Sequence, residues 1–275
     1  MSSTKGKKRK KTMASQADRY ALYLKSVQAP NHEVHFFKRA FKKEFGRPAL
    51  KLREDFCGTF AICCEWVKGS KDRVALGVDI DPEPLAWGRK HNLSKLKPAS
   101  QQRVTIHQED VRKVTGPKAE VLAAQNFSFW YFKTRPEVVR YFKAARANMA
   151  SKGLMFLDMM GGPETITENH EDITEYDDFD YIWEQERFDP ISHDCRYHIH
   201  YHFKDGSKLK RAFTYEWRFW TIPEVREMLA EAGFRRSDVY WEGTDKKTGE
   251  GNDIYTIRQS APGDEAWIAY IVAVK

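Results

Sequence analysis

Acidic side chains stand where three short apolar segments end. Asp79 follows the segment VALGV, Asp110 ends the stretch VTIHQED, and Glu54 and Asp55 end the stretch ALKLRED. If these segments are parallel strands, their carboxyl ends meet at one edge of a sheet, beside the crevice where such sheets bind ligands. A carboxylate at the tip of the second strand reaches both hydroxyls of a ribose, so we expect Asp79 to bind a nucleoside. Asp81 is either a second such carboxylate or the N-cap of the following helix.

The turn after the first of these segments suits a closely approaching ligand. It reads Phe-Cys-Gly-Thr-Phe (56–60), and Gly58 brings the backbone near a ligand because it has no Cβ. A helix that begins near Thr59 presents unpaired N–H groups and the positive end of its dipole. An ordinary strand-to-helix turn is the alternative. Asp79 alone also fits a dinucleotide enzyme, but the chain has no GxGxxG loop for a pyrophosphate.

A row of imidazoles is a candidate for acid–base chemistry. In the stretch HIHYH, His198, His200 and His202 fall on one face of a strand, about 6–7 Å apart. Zinc or iron is one use of such a row, but successive residues on one flat face converge poorly on a single ion, so no metal is predicted. We expect instead that His198, His200 or Glu216 serves as a base if the reaction must deprotonate a hydroxyl or an ammonium group.

The elements that position these residues follow from the hydrophobic pattern. Two amphipathic helices (15–28 and 30–46) come first, and apolar runs then alternate with helical stretches up to about residue 164. Such alternation predicts a parallel sheet with helices on both faces. From 165 to 217 the pattern has period two, which predicts an antiparallel insertion. The final strand (266–275) follows another strand without a helix between them, so it is expected to run in reverse.

This order of elements resembles the class I S-adenosylmethionine-dependent methyltransferases over about residues 49–164 and 218–275. The predicted fold is α/β: a seven-stranded, mostly parallel sheet with a reversed last strand, plus an antiparallel β insertion. Cys57, Gly58 and Thr59 match the family's acid-x-Gly-Cys-Gly-Thr-Gly loop. Phenylalanine replaces both outer glycines, and Glu54 takes the acidic position.

The resemblance implies that the cofactor is S-adenosylmethionine and assigns a contact to each of its parts. The helix after the turn holds the methionine carboxylate with help from Arg53, and Glu54 or Asp55 accepts from the ammonium. Asp79 binds the ribose, Ile80 lies against the adenine, and Asp110 with the Val111 N–H binds the adenine edge. The implied cofactor-binding residues are Arg53, Glu54, Asp55, Cys57, Gly58, Thr59, Asp79, Ile80, Asp81, Asp110, Val111 and Asn126.

The acceptor side is expected at the fourth strand, under the insertion and the N-terminal helices. The stretch Asn-Phe-Ser-Phe (126–129) lacks both prolines of the motif that DNA adenine methyltransferases carry there, so no base-flipping enzyme is inferred. The aromatic residues that follow are core packing or part of the site. The predicted substrate-binding residues are Tyr20, Tyr23, Trp130, Trp217 and Arg218.

Composition restricts the compartment and the partners. The 275 residues are 41% hydrophobic, which suits a folded domain and excludes a collagen or a disordered chain. An apolar run of membrane length and a signal-peptide core are absent from the sequence, so neither a membrane nor secretion is expected. Four cysteines without a CxxC pair suit a reducing compartment, which predicts a cytoplasmic protein.

The positive charge is concentrated at the N-terminus. Of the formal net charge of +7, six units come from lysines and arginine within residues 5–11, and the rest of the chain carries only +1. Such a tail either stays solvated, binds nucleic acid without specificity, or addresses a eukaryotic protein to the nucleus. Nucleic acid is therefore a candidate partner only through the tail. The oligomeric state is left open.

The sequence predicts methyl transfer to a small-molecule acceptor. Two alternatives stay open: an RNA or protein methyltransferase steered by the tail, and a noncatalytic protein that keeps the fold. The predicted units are a disordered basic tail (1–14), N-terminal lid helices (15–46), the cofactor-binding core (47–164), a β-hairpin cap (165–217) and the end of the core (218–275).

Overall fold

Helices and strands alternate along most of the chain. A computed structural model of the protein describes residues 11–245, 247–248 and 251–275. The helices are α1 (Met13–Gln16), α2 (Arg19–Ser26), α3 (Pro30–Phe45), α4 (Ala61–Lys68), α5 (Pro82–His91), α6 (Pro98–Gln101), α7 (Arg135–Ala147) and α8 (Ile222–Glu231). The strands are β1 (Lys51–Asp55), β2 (Val74–Asp79), β3 (Val104–Gln108), β4 (Ala119–Ala124), β5 (Met149–Gly161), β6 (His170–Glu175), β7 (Phe179–Phe188), β8 (Asp194–Phe203), β9 (Lys208–Arg218), β10 (Arg236–Thr244), β11 (Gly251–Arg258) and β12 (Trp267–Val274).

The central sheet has eight strands in the order β3-β2-β1-β4-β5-β12-β10-β11. Neighbours from β3 to β5 are parallel, whereas β12 is antiparallel to both β5 and β10. The α/β class, the parallel majority and the reversed last strand are therefore confirmed. The chain order reverses between β1 and β4, and this reversal opens a crevice at the carboxyl ends of the strands.

One strand of this sheet was not predicted. The segment 244–265 was interpreted as a linker, but it contains β11, which pairs antiparallel with the outer side of β10. Only Tyr255 of β11 is buried. A solvated edge strand has a weak hydrophobic pattern, and that is why the pattern did not indicate it.

Helices cover both faces of the central sheet. On one face α3, α4 and α5 pack into a cluster that includes Phe37, Trp66 and Leu85. On the other face α7 and α8 pack into a cluster that includes Tyr141 and Met228. The ring of Phe37 lies 4.5 Å from that of Phe156 on β5, which fixes α3 over the middle of the sheet.

The insertion is a four-stranded antiparallel sheet in the order β6-β7-β8-β9, which we call the cap. It contains β7, β8 and β9 in the predicted period-two stretches and one strand that was not predicted, β6, and it lies between β5 and α8 in the chain. Ile199 and Tyr201 turn one face of β8 toward α2, where they pack with Leu22 and Tyr23. Tyr197 and Trp217 join the cluster that covers the central sheet. The cap is therefore packed against both α2 and the core.

The N-terminal helices begin earlier than predicted. Residues 11–14 were assigned to the basic tail, but Thr12 caps α1 and the Met13 N–H donates to Asp205 Oδ2 at 2.8 Å. The predicted helix 15–28 is divided because the Asp18 side chain starts a new helix by accepting from Tyr20 and Ala21. The rest of the predicted tail, residues 1–10, lies outside the described residues.

The cysteines form no disulfides with one another. Cys57, Cys63, Cys64 and Cys195 are all free and buried. Among the described residues, none of the helices combines the length and the apolar character needed to cross a bilayer.

Candidate functional site

A cavity of about 780 Å³ lies at the carboxyl ends of the central strands, below α2 and β9. Its size is in the range of cavities that enclose a cofactor with a small ligand. It lies at the switch point of the sheet, where the sequence predicted a site. Its lining is Arg19, Tyr20, Tyr23, Gln28, Phe56, Cys57, Gly58, Thr59, Asp79, Ile80, Asp81, Pro84, Glu109, Asp110, Val111, Arg112, Asn126, Ser128, Tyr131, Phe132, Arg211, Ala212, Phe213, Thr214, Tyr215 and Trp217.

The turn after β1 keeps the conformation of a glycine-rich loop with only one glycine. Phe56, Gly58 and Phe60 have φ values of 55°, 49° and 47°, all in the left-handed region that glycine favours. Phe60 is fully buried, and its ring fills the space in front of Gly88 on α5, where a Cβ would approach it to 2.5 Å. Phe56 lines the cavity and packs on the Tyr141 ring at 5.4 Å. Both rings therefore leave the crevice open.

Asp79 links this turn to the turn after β2. Its Oδ2 accepts from the Gly58 N–H at 2.7 Å and its Oδ1 from the Asp81 N–H at 2.9 Å. Partial burial raises the pKa of Asp79. Asp81 caps α5 through the Glu83 N–H, so the capping alternative holds, although Asp81 also lines the cavity. The side chain of Ile80 is 69% exposed and lies at the cavity edge, where it offers an apolar surface to a planar ring.

The loop after β3 carries Asp110 and Val111, the two residues predicted to bind the adenine edge. Asp110 holds the Arg112 guanidinium through two contacts, Nη2 to Oδ2 at 2.6 Å and Nε to Oδ1 at 3.0 Å. These hydrogen bonds to Arg112 lower the pKa of Asp110. The Val111 N–H has no acceptor among the described residues. Tyr131, which is 69% exposed, also lines the cavity. The sequence analysis did not select Tyr131, because its position in an aromatic run resembled core packing.

Three predicted cofactor ligands, Arg53, Glu54 and Asp55, are buried and do not line the cavity. Arg53 is buried and donates to Asp55, to the Val111 carbonyl and to the Val114 carbonyl. Asp55 also accepts from the Tyr141 hydroxyl. Glu54 accepts from the Cys63 N–H in the first turn of α4, and burial raises the pKa of Glu54 to about 8. All three belong to β1, and both faces of this strand are covered by other elements. Their side chains therefore pack in the protein interior next to the turn.

Aromatic side chains form the opposite wall of the cavity. The Phe213 ring lies 5.8 Å from that of Tyr20 and 4.9 Å from that of Tyr23. Tyr215 stacks on Trp217 at 4.3 Å. The predictions for Tyr20, Tyr23 and Trp217 place them at the cavity, as the structure does. Phe213 and Tyr215 were not selected from the sequence.

Asn126 lies between the two walls. Its φ is 57°, and its N–H donates to Asp158 Oδ2 at 2.6 Å, while the next N–H donates to the other oxygen of Asp158. Burial raises the pKa of Asp158 to about 6. The strained turn presents Asn126 to the cavity, where the sequence analysis expected it.

Trp130 and Arg218 are corrections to the predicted substrate site. Trp130 is fully buried, with its ring 5.1 Å from that of Phe219. Arg218 lies over the Trp220 ring and donates to the Lys133 carbonyl. Both side chains pack where β9 meets the core and do not line the cavity.

The three predicted bases, His198, His200 and Glu216, are not among the residues that line the cavity. His198 contacts Thr214 Oγ1 at 2.8 Å and Glu186 Oε2 at 3.1 Å. His200 contacts Glu184 Oε2 at 2.7 Å. Glu216 pairs with Arg196 at the surface of the cap. Because the apolar residues of β8 turn inward, its histidines must occupy the outer face of the cap.

The helix α2 closes the cavity between α5 and β9. Trp87 Nε1 donates to Asp18 Oδ2 at 2.7 Å, and Arg19 pairs with Glu83 at 2.6 Å, which ties α2 to α5. Arg19 also donates to the Ala212 carbonyl of β9 at 3.2 Å. We call α2 the lid on the basis of these contacts.

Solved structures of methyltransferases share this architecture. The chain superposes on a S-adenosylmethionine-dependent methyltransferase from Clostridium acetobutylicum with a TM-score of 0.65 at 14% identity, over 93% of this chain and 96% of that one. Streptomyces venezuelae DesVI gives 0.66 at 19% identity, over 94% and 98%. CalS10 of Micromonospora echinaspora, an amino pentose methyltransferase solved with SAM, gives 0.64 at 18% identity, over 93% and 95%.

The similarity to these methyltransferases is found by comparing structures and not by comparing sequences. The sequence matches no protein-family model and no curated protein. The chain thus has the class I S-adenosylmethionine-dependent methyltransferase fold, as its sequence pattern predicted.

Proposed function

We propose that this protein binds S-adenosylmethionine and transfers its methyl group to a small-molecule acceptor. One observation carries the proposal: Asp79 joins the Gly58 backbone at the switch point of a sheet with the methyltransferase fold, at the edge of a 780 Å³ cavity. A strand-tip carboxylate beside a loop of this kind is suited to a ribose.

The residues present fit the cofactor. Gly58 has a left-handed backbone, and a Cβ built on it meets nothing within 4 Å, so the backbone is open to a close ligand. Thr59 Oγ1 is buried and has no hydrogen-bond partner within the part of the chain that the structure describes, and Thr59 lines the same wall. In this proposal Ile80 and Tyr131 lie against the adenine, and the Val111 N–H binds its edge. CalS10 and the glycopeptide N-methyltransferase MtfA have been solved with SAM bound to this fold.

The reaction requires little acid–base machinery. When bound, the cofactor would supply an electrophilic methyl carbon to a lone pair of the acceptor. The protein must then position the acceptor. Asn126 and the aromatic wall of Tyr23, Phe213 and Tyr215 enclose the space for it. The absence of His198 and His200 from this space is therefore compatible with methyl transfer.

The charges of the cavity favour a small molecule over a nucleic acid. The described lining residues include four acids, which are Asp79, Asp81, Glu109 and Asp110, and three arginines. Each arginine is already paired: Arg19 with Glu83, Arg112 with Asp110 and Arg211 with Glu186. A polyanion needs a row of unpaired cations, and the described lining does not offer one. Two proteins of this fold are the sugar N-methyltransferase KedS8 and the amino pentose methyltransferase CalS10.

Calorimetric titration of S-adenosylmethionine and S-adenosylhomocysteine tests the proposal. Wild-type protein should bind both, and Asp79→Ala should bind both more weakly by about 1–3 kcal/mol because a buried diol contact is lost. Asp72→Ala, in the exposed turn before β2, is the matched control and should not change either affinity. Equal affinities in wild-type protein and Asp79→Ala would remove the ribose assignment.

Two further outcomes would contradict the proposed reaction. Absence of binding heat with either nucleoside would favour the noncatalytic alternative. Thermal stabilisation by NAD in place of S-adenosylmethionine would indicate a dinucleotide enzyme.

A further inference from the structure

Three side chains at the start of the cap lie close enough to share one metal ion. They are Glu164, in the short 3-10 helix Pro163–Ile166 that follows β5, and His170 and Asp172, two residues apart on β6. Their ligand atoms, one imidazole nitrogen and two carboxylate oxygens, all lie within 4.8 Å of one another. His170 Nε2 and Asp172 Oδ1 are 3.0 Å apart. None of the three is among the residues that line the cavity, so this cluster is separate from the candidate site.

The pairing of the strands places this cluster on the inner face of the cap. Gln185 of β7 is directly opposite His170 on one side and Tyr197 of β8 on the other, and residues paired in this way lie on the same face of a sheet. Tyr197 packs in the cluster that covers the central sheet. Its hydroxyl donates to the Thr165 carbonyl at 2.9 Å, which brings the adjacent residue Glu164 to the same face.

A fourth possible ligand, the amide oxygen of Gln185, is buried between these groups. Gln185 is only 3% exposed, and its Oε1 has no hydrogen-bond partner in the part of the chain that the structure describes. Residues directly opposite each other on antiparallel strands have Cβ atoms about 4.5–5.5 Å apart, so this amide lies beside the His170 imidazole. A buried carbonyl oxygen without a donor is a place where an ion is expected. It is therefore evidence for a cation that is independent of the three clustered side chains.

We propose that Glu164, His170 and Asp172 bind a divalent transition-metal ion, with Gln185 Oε1 as the fourth ligand. An imidazole with carboxylates suits Zn²⁺, which takes four ligands at about 2.0–2.2 Å, whereas Mg²⁺ and Ca²⁺ prefer oxygen ligands alone. Two ligands of a tetrahedral zinc ion are roughly 3.4 Å apart, so His170 and Asp172 already have a suitable separation. Glu164, which is half-buried, completes the set by rotation of its side chain.

The ion would join the first strand of the cap to the end of the central sheet. The backbone of Glu164 is held in place, because its N–H donates to the Glu265 carbonyl at 3.0 Å just before β12. The strand β6 is at the edge of the cap, and all of its residues except His170 are exposed. Such a strand opens easily, because it has few buried contacts. Four protein ligands leave no position for a substrate, so the proposed site is structural and goes beyond the proposed methyl transfer.

Equilibrium dialysis of the full chain against Zn²⁺, after removal of metal with EDTA, tests the proposal. Wild-type protein should bind one zinc ion that His170→Ala and Asp172→Asn lose or bind more weakly by at least about tenfold. Glu171→Gln is the matched control, because Glu171 lies between the two ligands on β6 and is exposed on the opposite face. It should bind zinc as the wild type does, and Mg²⁺ at the same concentration should not displace the zinc.

Gln185→Met tests the fourth ligand. The substitution removes the amide oxygen and keeps the length of the side chain. It should weaken zinc binding several-fold, while the metal-free variant melts at or above the temperature of the metal-free wild type, because no acceptor is left buried without a partner. A lower melting temperature with unchanged zinc affinity would show that Gln185 only supports the packing of the cap and is not a ligand.

Hydrogen exchange shows where the ion acts. Zn²⁺ should slow the exchange of the amides of residues 170–175 in the wild type and in Glu171→Gln and should raise the melting temperature of both. Neither effect should occur in His170→Ala or Asp172→Asn. Absence of zinc binding to the wild type, or equal binding by the wild type and both ligand variants, would overturn the proposal. These results do not depend on whether the protein binds S-adenosylmethionine.

Discussion

Two phenylalanines hold backbone conformations that glycine adopts most easily. A non-glycine residue in the left-handed region costs about 1–2 kcal/mol, and Phe56 and Phe60 both lie there. Their rings pack against Tyr141 and in front of Gly88, respectively, and this burial offsets the strain. The turn thus keeps its shape through packing at two of the three positions where glycine would normally supply it.

Gly58 is the position in this turn where adding a side chain should affect ligand binding. Gly58→Ala should lower the free energy of unfolding by about 1–2 kcal/mol, since its φ of 49° disfavours alanine. It should also weaken S-adenosylmethionine binding, because the new methyl group occupies the space of the close approach. Gly46→Ala is the control: its φ is 71° at the C-terminus of α3, and its Cβ also meets nothing within 4 Å.

Denaturant unfolding measures the stability of both glycine variants, and calorimetry measures their affinity for the cofactor. We expect similar losses of stability and a loss of affinity for Gly58→Ala alone. Equal affinity in the two variants would mean that the ligand does not approach this turn.

The buried carboxyl of Glu54 predicts a dependence of stability on pH. Its pKa rises from 4.5 to about 8 on folding, so the folded protein holds the proton more tightly than the unfolded chain does. The free energy of unfolding should therefore fall as pH increases from about 4.5 to 8. Asp158, with a pKa of about 6, acts in the same direction.

Glu54→Gln should make this fall shallower by about 1 kcal/mol or more. Its side-chain oxygen still accepts from the Cys63 N–H, so the first turn of α4 keeps its partner. Glu227→Gln, on the exposed side of α8, should follow the wild-type curve. Denaturant unfolding at pH 5 and pH 8 provides the comparison, and identical slopes for wild type and Glu54→Gln would exclude Glu54 as the titrating group.

At the scale of elements, Asp18 both starts the lid helix and attaches it to α5. Asp18 caps α2 through the N–H groups of Tyr20 and Ala21 and accepts from Trp87 on α5. Asp18→Ala should therefore weaken both the start of the helix and its attachment. A lost N-cap costs about 1 kcal/mol, and the cavity wall formed by Tyr20 and Tyr23 should open more often.

Hydrogen exchange and calorimetry check this expectation. Amides of residues 19–26 should exchange faster in Asp18→Ala, and affinity for S-adenosylmethionine should fall several-fold, since about 1 kcal/mol corresponds to that factor. Thr221→Ala removes an equivalent N-cap from α8 without touching the cavity. It should lower stability but leave cofactor binding unchanged.

The order of elements was predictable because each strand and helix has its own periodicity. The prediction that Asp79, Gly58 and Asp110 lie at the crevice agrees with the structure. Parallel strands bring their carboxyl ends to one edge of the sheet regardless of which side chains they carry. The direction in which a side chain points from its strand was harder to predict from the sequence. Both faces of β1 are covered. The alternation of its residues therefore could not indicate that Arg53 and Glu54 point into the protein and not toward the cavity.

The cap is a second example in which the sequence could not predict the direction of side chains. The alternation in β8 separated the histidines from Tyr197, Ile199 and Tyr201, and the structure has these two sets on opposite faces. Which face meets the cavity depends on how the cap docks, and docking is a long-range property. Trp130 and Arg218 were misplaced for the same reason, because their partners Phe219 and Trp220 belong to the docked interface.

On the scale of the whole molecule, most of the net charge lies in the first residues of the sequence. Residues 1–10 contribute +5 of the net +7, and the arginines of the cavity are paired with acids. Deleting residues 1–10 keeps Thr12 as the cap of α1. The truncated protein should keep the melting temperature and the cofactor affinity of the full chain.

Fluorescence anisotropy with labelled RNA and DNA completes this comparison. Any binding by the full chain should weaken steeply with salt and disappear on truncation, as expected for nonspecific phosphate contacts. Retention of tight binding after truncation, or loss of cofactor affinity, would instead support a nucleic-acid methyltransferase that uses its folded surface.

The shared packing of Tyr197 and Trp217 with the central sheet has a consequence for ligand exchange. Because these cap residues are part of the same hydrophobic cluster as Leu122 and Leu157, the cap cannot swing away without exposing the interior. Heating should therefore produce a single cooperative melting event. Entry and departure of a ligand should then depend on movement of α2, a helix of only eight residues.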